Sequence, residues 1–292
     1  MSGFSLSWLR QRAPFDRAAR DAALASRFAA AVVRSGHRPL RLLDLGAGAG
    51  ANARVLAPVI GGDQDWLLID DDAALLEAQP AEHLAWAADE GWAVARAGDK
   101  VVIHAGDARW RFAAHRQDLA RQGAIEGIER CDGVSMSALT DLAAAPWIDT
   151  LVAQLAPRRR PILAVLVVDG RREWCPAAPE DALIHGAFAR HQRGDKGFGP
   201  ALGSDAPDYL AARLAAAGYA VSTAPSDWRI GPDERGMLAA IIAGEARAAA
   251  EAQPDAAAAI AAWQARREVE LAMGALSLRV GHRDVLGVPG ES

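Results

Sequence analysis

The sequence places acidic residues and glycines where a nucleotide cofactor would need them. An apolar run ends at Asp44 and enters a turn that contains Gly46, Gly48 and Gly50. A second apolar run ends at Asp70, twenty residues after the last of these glycines. Glycines let the backbone of a strand–turn–helix unit approach a ligand closely, and an acid at the end of the next strand can accept both hydroxyls of a ribose. The spacing therefore predicts a site for an adenosine cofactor.

The glycine spacing alone leaves two cofactor classes open, because Gly46, Gly48 and Ala51 also fit the G-x-G-x-x-G/A fingerprint of nicotinamide and flavin proteins. A dinucleotide places its pyrophosphate over this turn, where the carboxylate of Asp44 would repel it. S-adenosylmethionine has no phosphate and brings a sulfonium and an ammonium instead. Unit charges about 4 Å apart interact by about 1 to 4 kcal/mol in partly solvated surroundings. Asp44 therefore favours S-adenosylmethionine.

A third apolar run, residues 101–104, is predicted as the third strand of a parallel sheet. It closes on Gly106, Asp107 and Ala108, so another acid is expected at the end of a strand. His104 and Asp107 do not predict a metal site, because two residues at one strand end leave the other ligands unsupplied. We expect no metal.

These segments resemble a known family. Residues 44–50 look like motif I of class I S-adenosylmethionine-dependent methyltransferases, Asp70 like their second-strand acid, and residues 106–108 like the turn whose acid meets the adenine amino group. The resemblance implies a methyltransferase whose cofactor contacts are Asp44, Gly46, Gly48, Gly50, Asp70, Asp71, Gly106, Asp107, Ala108 and Ser137. No Asn-Pro-Pro-Tyr or Asp-Pro-Pro-Tyr sequence follows the fourth predicted strand, residues 132–138. That departure counts against methylation of exocyclic nucleobase amines.

The order of the apolar runs predicts an α/β fold with a doubly wound, mostly parallel sheet. The runs recur at about 40–45, 65–70, 101–104, 132–138 and 161–168, and helical segments separate them. The family resemblance extends this to a seven-stranded Rossmann-like sheet. In that sheet the last strand, at about 275–288, is antiparallel and lies between strands five and six.

We expect three parts along the chain. Residues 1–36 form an N-terminal helical lid and residues 37–170 a cofactor-binding core. Residues 171–292 complete the sheet and carry an acceptor loop at about 191–203 and a helical insertion at about 232–272. Four lid residues either contact the cofactor carboxylate or form a solvated basic face, namely Trp8, Arg10, Arg12 and Arg17.

Ligands of open α/β sheets bind beyond the carboxyl ends of the strands, which singles out Ser137 and Asp169. Ser137 either contacts a ligand or caps a helix. Asp169 is a candidate catalytic residue, although an Asp-Gly turn by itself explains an aspartate at this position.

The loop after the fifth predicted strand is the expected acceptor site. His191 is the candidate proton acceptor, and Arg193 and Lys196 would suit an anionic substrate. Phe198 is assigned to the same substrate site. The basic residues equally suit a helix C-terminus, and the glycines between them suit turns.

Composition limits the function further. The chain has 292 residues, of which 51% are hydrophobic and 24% are charged, as is ordinary for a globular protein. Its net charge of −5 argues against bulk electrostatic binding of nucleic acid. Cys131 and Cys175 form neither a metal-ligand spacing nor a disulfide framework, which favours a reduced, cytoplasmic setting. No leader pattern or membrane-length apolar stretch is present in this sequence, so no membrane partner is expected.

The sequence therefore favours a methyltransferase that moves a methyl group from S-adenosylmethionine to a small molecule. Two alternatives stay open. One is an NAD(P)-dependent oxidoreductase, which uses the same glycine geometry, and the other is a catalytically silent cofactor-binding module. Neither the acceptor nor the oligomeric state follows from the sequence.

Overall fold

The computed structural model describes residues 4–98, 100–121 and 123–290. Its strands are β1 (Leu40–Leu45), β2 (Gln64–Asp70), β3 (Ala93–Ala97), β4 (Lys100–Ala105), β5 (Ala108–Arg116), β6 (Gly133–Ser137), β7 (Ile162–Cys175), β8 (Tyr219–Pro225), β9 (Trp228–Ile230) and β10 (Ser277–Pro289). Its α-helices are α1 (Leu6–Ala19), α2 (Ala22–Val33), α3 (Ala51–Ile60), α4 (Ala73–Asp89), α5 (Ala145–Leu155), α6 (Asp181–Gln192), α7 (Ala206–Ala216), α8 (Arg235–Ala252) and α9 (Ala257–Ala272).

All of these strands belong to one sheet, in the order β3-β4-β5-β2-β1-β6-β7-β10-β8, with β9 paired to β10. Strands β5, β2, β1, β6 and β7 are parallel. Strand β10 runs antiparallel between β7 and β8. The doubly wound α/β fold and the inserted last strand are therefore confirmed. Seven strands form the predicted sheet, and the β3–β4 hairpin and β9 add to it.

The central strands are buried on both faces, because their apolar side chains alternate between two helical layers. In β1, Leu40 and Leu42 face the cluster built with α2, α3 and α4. Leu43 and Leu45 face the cluster built with α5 and α7. A strand covered on both faces reads as a continuous apolar run, which is why these strands were predictable.

The outer halves of β7 and β10 carry a third apolar cluster. Helices α6, α8 and α9 pack there around Trp174 and Trp263, whose ring centroids lie 5.9 Å apart. Arg267 is fully buried between both rings and pairs with Asp181 and Glu270. Helices α8 and α9 occupy the predicted insertion before the last strand.

The predicted third strand is wrong in one respect. Strand β4 contains the run 101–104 but pairs antiparallel with β5, and β5 is the third parallel strand. Gly106 and Asp107 form the hairpin turn between them, and Ala108 opens β5. An apolar run indicates that a strand is buried but not the direction in which it pairs.

This turn lies at the amino end of β5, on the edge of the sheet opposite to the glycine turn, residues 46–50, that follows β1. The backbone N–H of Arg109 donates to Asp63, which precedes β2. The structure therefore separates Gly106, Asp107 and Ala108 from Gly46, Gly48 and Gly50, and their expected adenine contact is wrong. The segment that does follow the third parallel strand is 117–121.

The Asp-Gly turn expected at Asp169 is also wrong. Strand β7 continues through Asp169 and Gly170 to Cys175, and residues 169–171 form a bulge against β10, in which Gly170 has a φ of +85°. No helix among residues 4–98, 100–121 and 123–290 is both long and apolar enough to cross a bilayer.

Candidate functional site

The turn after β1 has the conformation that its glycines predict. Gly46, Gly48 and Gly50 have φ values of +64°, +51° and +79°. In this left-handed region an L side chain is strained, whereas glycine is not. The N–H of Gly50 donates to the carbonyl of Ala47 across 2.8 Å, which closes the turn at the start of α3. Contact of these glycines with a cofactor stays a prediction.

Asp44 lies beneath this turn and is fully buried. Its Oδ1 accepts hydrogen bonds from Asn52 Nδ2 at 2.5 Å and from Ser135 Oγ at 2.7 Å. Its Oδ2 is buried and has no hydrogen-bond partner in the described part of the chain. Burial raises the pKa of Asp44 to about 6, although the two hydrogen bonds and the nearby Arg20 act in the opposite direction. The site thus holds a carboxylate oxygen that lacks a donor or a cation.

Asp70 joins β2 to the glycine turn. Its Oδ2 accepts a hydrogen bond from the backbone N–H of Gly48 at 2.8 Å, and its Oδ1 accepts one from Asp72 at 2.9 Å. Asp71 lies next to it, 3.5 Å from the guanidinium of Arg116. Both acids therefore stand at the carboxyl ends of the parallel strands, as predicted from the sequence.

Arg20 is a residue of this site that the sequence analysis missed. It follows α1, and its guanidinium donates to Asn52 Oδ1 at 2.5 Å and to Ser137 Oγ at 3.2 Å. Ser137 is thus held by Arg20 and does not cap the short 3-10 turn after β6, whose N-cap is Leu139. The sequence signal was the group of arginines in the lid, but spacing alone did not show which one points inward.

The other lid arginines have different partners. Arg10 is exposed and pairs with Glu82 at 2.6 Å. Arg12 is buried, pairs with Asp16 at 2.9 Å and stacks over the Trp228 ring at 5.0 Å from its centroid. Helix α1 covers the glycine turn: a Cβ on Gly48 would lie 3.3 Å from Leu9.

An apolar groove lies beyond the carboxyl end of β5. It is lined by Leu119, Ile125, Trp147 and Phe198, with glutamines at its rim. Trp147 donates from its indole N–H to the Leu119 carbonyl at 2.6 Å, and the Phe198 ring packs edge-on against it at 5.4 Å. The structure therefore places Phe198 beside the segment that follows β5.

His191 lies near the end of α6, where its Nε2 is 3.0 Å from Glu251 of α8. Helix α8 meets Gln11 of α1 at Gly236. Gly236 and Glu251 are fifteen residues apart on α8, which corresponds to about 22 Å at 1.5 Å per residue. The structure thus gives His191 a side-chain contact with Glu251 between two helices and does not bring it to the glycine turn, because α6 packs along α8.

The remaining predicted acceptor residues are held by local contacts. Arg193 pairs with Asp205 at 2.8 Å. Lys196 lies in a turn closed by Asp195, whose Oδ1 accepts from two backbone N–H groups. Asp169 is buried against Arg171 at 2.5 Å, and Asp227 shares that guanidinium. Because this ion pair engages its carboxylate, the structure does not support a catalytic role for Asp169. Nowhere in the described ranges do three or more histidine, cysteine or acidic side chains group as metal ligands.

Comparison with known proteins adds structural likeness at low sequence identity. No protein-family model matches the chain, and no curated protein matches it. A S-adenosylmethionine-dependent methyltransferase from Geobacter sulfurreducens, solved with S-adenosylhomocysteine, has a TM-score of 0.44 at 16% identity over 98% of this chain and 99% of that one. A similar enzyme from Thiobacillus denitrificans, also with S-adenosylhomocysteine, gives 0.41 at 16% identity over 98% and 99%.

A putative methyltransferase from Bacillus halodurans gives a TM-score of 0.46 at 12% identity over 90% of this chain and 99% of that one. These values carry no functional argument. The strand order does define the architecture. With an antiparallel last strand between the fifth and sixth strands of the core, the chain has the Rossmann-like fold of class I methyltransferases.

Proposed function

We propose that the protein transfers a methyl group from S-adenosylmethionine to a small-molecule acceptor. The observation that carries this proposal is the buried Oδ2 of Asp44, which has no partner beneath the glycine turn. A buried polar atom without a partner costs about 1 to 3 kcal/mol, so a ligand that supplies one binds favourably. A cationic ligand group supplies that partner, whereas a pyrophosphate would be repelled.

The hydrogen bond between Gly48 and Asp70 supports the same choice. In a dinucleotide site, backbone N–H groups of the glycine turn face the pyrophosphate. Here the Gly48 N–H already donates to a carboxylate. A negative charge at that position disfavours a phosphate and leaves an acid near the place where a ribose binds. The oxidoreductase alternative therefore has less support from the geometry.

The residues present fit S-adenosylmethionine in four places. Asp70 would accept from the ribose hydroxyls, and the groove at Leu119 and Trp147 would hold the adenine. Asp44 would face the cationic part, and the guanidinium of Arg20 would suit the carboxylate of the methionine moiety. When bound, the cofactor supplies an electrophilic methyl group. The chain's residues bind it, orient it and exclude water, and such alignment contributes about 7 to 11 kcal/mol to rate enhancement in favourable cases.

Equilibrium titration tests the cofactor. We expect S-adenosylhomocysteine to bind and NAD and NADP not to bind at comparable concentrations. Asp44→Asn should weaken S-adenosylhomocysteine but leave 5′-methylthioadenosine unchanged, because the latter has no ammonium group. Asp132→Asn is the matched control, since Asp132 is also buried but lies at the amino end of β6, bonded to the Arg41 N–H.

Binding of a nicotinamide cofactor without S-adenosylhomocysteine would replace this proposal by the oxidoreductase. Binding of S-adenosylhomocysteine without methyl transfer to any acceptor would leave a cofactor-binding module of the same fold.

A further inference from the structure

Asp141 is a buried acid that the cofactor does not need. It lies in the short 3-10 turn Thr140–Leu142 that follows β6 and is 5% exposed. Its Oδ1 is buried without a hydrogen-bond partner in the described part of the chain. Buried polar atoms in native proteins are nearly always satisfied, so an exception at the end of a central strand points to a ligand.

The turn that carries Asp141 lies next to the glycine turn of residues 46–50. A Cβ on Gly46 would meet the side chain of Leu139 at 3.1 Å, and one on Gly48 would meet Leu9 of α1 at 3.3 Å. Leu139 and Leu9 therefore both pack on this glycine turn. Asp141 lies two residues after Leu139, next to the place where the methyl donor is proposed to bind.

The positive charge of Arg12 in α1 acts to lower the pKa of Asp141, against the larger effect of burial. Arg12 does not satisfy Oδ1, because its Nε and Nη2 donate to Asp16 at 2.9 and 3.1 Å. The same guanidinium also bears on His282 of β10, which packs against Trp228 with ring centroids 4.9 Å apart. The charge of Arg12 thus acts on an acid and an imidazole that are both buried.

His282 presents a second acceptor. Its Nδ1 lies 3.1 Å from the carbonyl of Val280, so this nitrogen carries the proton and donates. The pKa of His282 is lowered to about 3 by burial and by Arg12, which keeps the ring neutral. Its Nε2 therefore carries a lone pair. Oδ1 of Asp141 and Nε2 of His282 can therefore each accept a hydrogen bond from an N–H or O–H donor of a ligand.

We propose that Asp141 accepts the proton of the methyl acceptor, and that this acceptor is a small amine or alcohol bound beside Oδ1 of Asp141. This inference rests on the proposed methyltransferase function. It replaces His191 as the candidate proton acceptor.

The reaction balances with no further reagent. The nitrogen or oxygen of the acceptor forms a bond to the methyl carbon while the carbon–sulfur bond of the donor breaks. The electron pair of that bond passes to sulfur, which becomes a neutral thioether. The proton of the acceptor passes to Oδ1 of Asp141 and is later released to water.

Binding and stability provide the first test. Asp141→Asn should bind S-adenosylhomocysteine within about threefold of the wild type. At pH 8 it should unfold at the same or a higher temperature, because the substitution removes a buried charge whose pKa burial has raised to about 6. Clear destabilisation would assign Asp141 a structural role and overturn the inference. Failure of the wild type to bind S-adenosylhomocysteine would instead overturn the proposed function.

Methyl transfer provides the second test. The probes are primary amines, phenols and aliphatic alcohols, together with carboxylic acids of matched size, each incubated with radiolabelled S-adenosylmethionine. We expect transfer to an amine or alcohol, and a loss of about 10² to 10⁴ in rate for Asp141→Asn. The control is Asp149→Asn, which removes an acid that pairs with Arg213 on exposed helices and should keep the wild-type rate.

The pH profile separates proton transfer from positioning. At saturating methyl donor the wild-type rate should fall below about pH 6, and this acidic limb should be absent in Asp141→Asn. Three results would overturn the inference: a full rate in Asp141→Asn, transfer to carboxylic acids alone, or no transfer to any amine or alcohol by protein that binds S-adenosylhomocysteine.

Discussion

The backbone N–H of Gly48 donates to Oδ2 of Asp70 across 2.8 Å, so the acid of the second strand also holds the turn of the first. Its other oxygen accepts from Asp72, the N-cap of α4. One carboxylate thereby fixes the turn, the end of β2 and the start of the following helix. Its position depends on two adjacent parallel strands, which explains why a spacing of twenty residues along the chain is informative.

Asp70→Ala should weaken binding of S-adenosylhomocysteine by about 10- to 150-fold, which corresponds to the loss of a charge-assisted hydrogen bond of about 1.5 to 3 kcal/mol. Asp107→Ala is the matched control, because Asp107 lies at the opposite edge of the sheet. Calorimetric titration compares the two variants. Equal losses would mean that the adenosine site is not at the carboxyl edge.

The affinity for S-adenosylhomocysteine should depend on the ionisation of Asp44. Its folded-state pKa of about 6 lies above the ordinary value of 3.8, so protonation below pH 6 removes the charge that faces the ligand's ammonium. We expect affinity to fall with decreasing pH, by up to about tenfold per unit. Titrations of the wild type and Asp44→Asn between pH 5 and 8 check this, and the variant should lack this dependence.

The contribution of Asp44 to the stability of the folded protein should change with pH in the opposite direction to the affinity for S-adenosylhomocysteine. A raised pKa means that the folded state prefers the protonated acid, so this stabilisation is complete below pH 3.8 and is lost as the pH rises through about 6. Urea unfolding of the unliganded protein should therefore show Asp44→Asn gaining stability relative to the wild type as the pH rises from about 4 to about 6, with a constant advantage at higher pH. A difference that stays the same between pH 4 and pH 6 would contradict the assignment.

Gly50→Ala should destabilise the fold more than Gly91→Ala does. Gly50 precedes α3 and Gly91 follows α4, and their φ values of +79° and +71° cost an L residue about 1 to 2 kcal/mol. A Cβ at Gly50 would also lie 2.9 Å from Nε2 of the buried His83, whereas a Cβ at Gly91 meets nothing within 4 Å. The difference in unfolding free energy should be about 1 to 3 kcal/mol. Equal values would show that His83 moves aside freely.

Variants at the end of α6 and in the loop after it should fall into two classes. His191→Ala and Lys196→Ala should leave S-adenosylhomocysteine affinity within about threefold, below about 0.7 kcal/mol. Phe198→Ala should weaken it about fivefold, because the ring packs on Trp147 in the proposed adenine groove and such contacts contribute about 1 kcal/mol. Titration of the three variants checks this. A large loss in His191→Ala would restore that residue to the ligand site.

The sequence predicted the parts of the site that are local. Asp44 and its three glycines lie on one strand and the turn that follows it, where residue type and conformation are directly linked. The third strand was assigned to the wrong segment, because the apolar run lies in β4, whereas β5 contains several basic residues and only tertiary pairing identifies it as the parallel core strand.

Residues from distant segments could not be predicted in this way. Arg20 directly follows α1 and contacts Ser137, which is 117 residues away in the sequence. The sequence does not single out Asp141, because an acid in a short turn is common and its unpartnered oxygen is a property of the folded structure. The sequence does suggest a functional loop at His191, because basic residues and glycines at the end of a helix have the same pattern.

Helix α1 carries both Leu9, which packs over Gly48, and Arg12, whose charge acts on Asp141. Ligands bound at these two places would therefore be linked through one helix. Where the first ligand orders α1 for the second, each raises the affinity of the other by the same factor, because coupling between two binding sites is reciprocal. A single helix would then favour the ternary complex over either binary one.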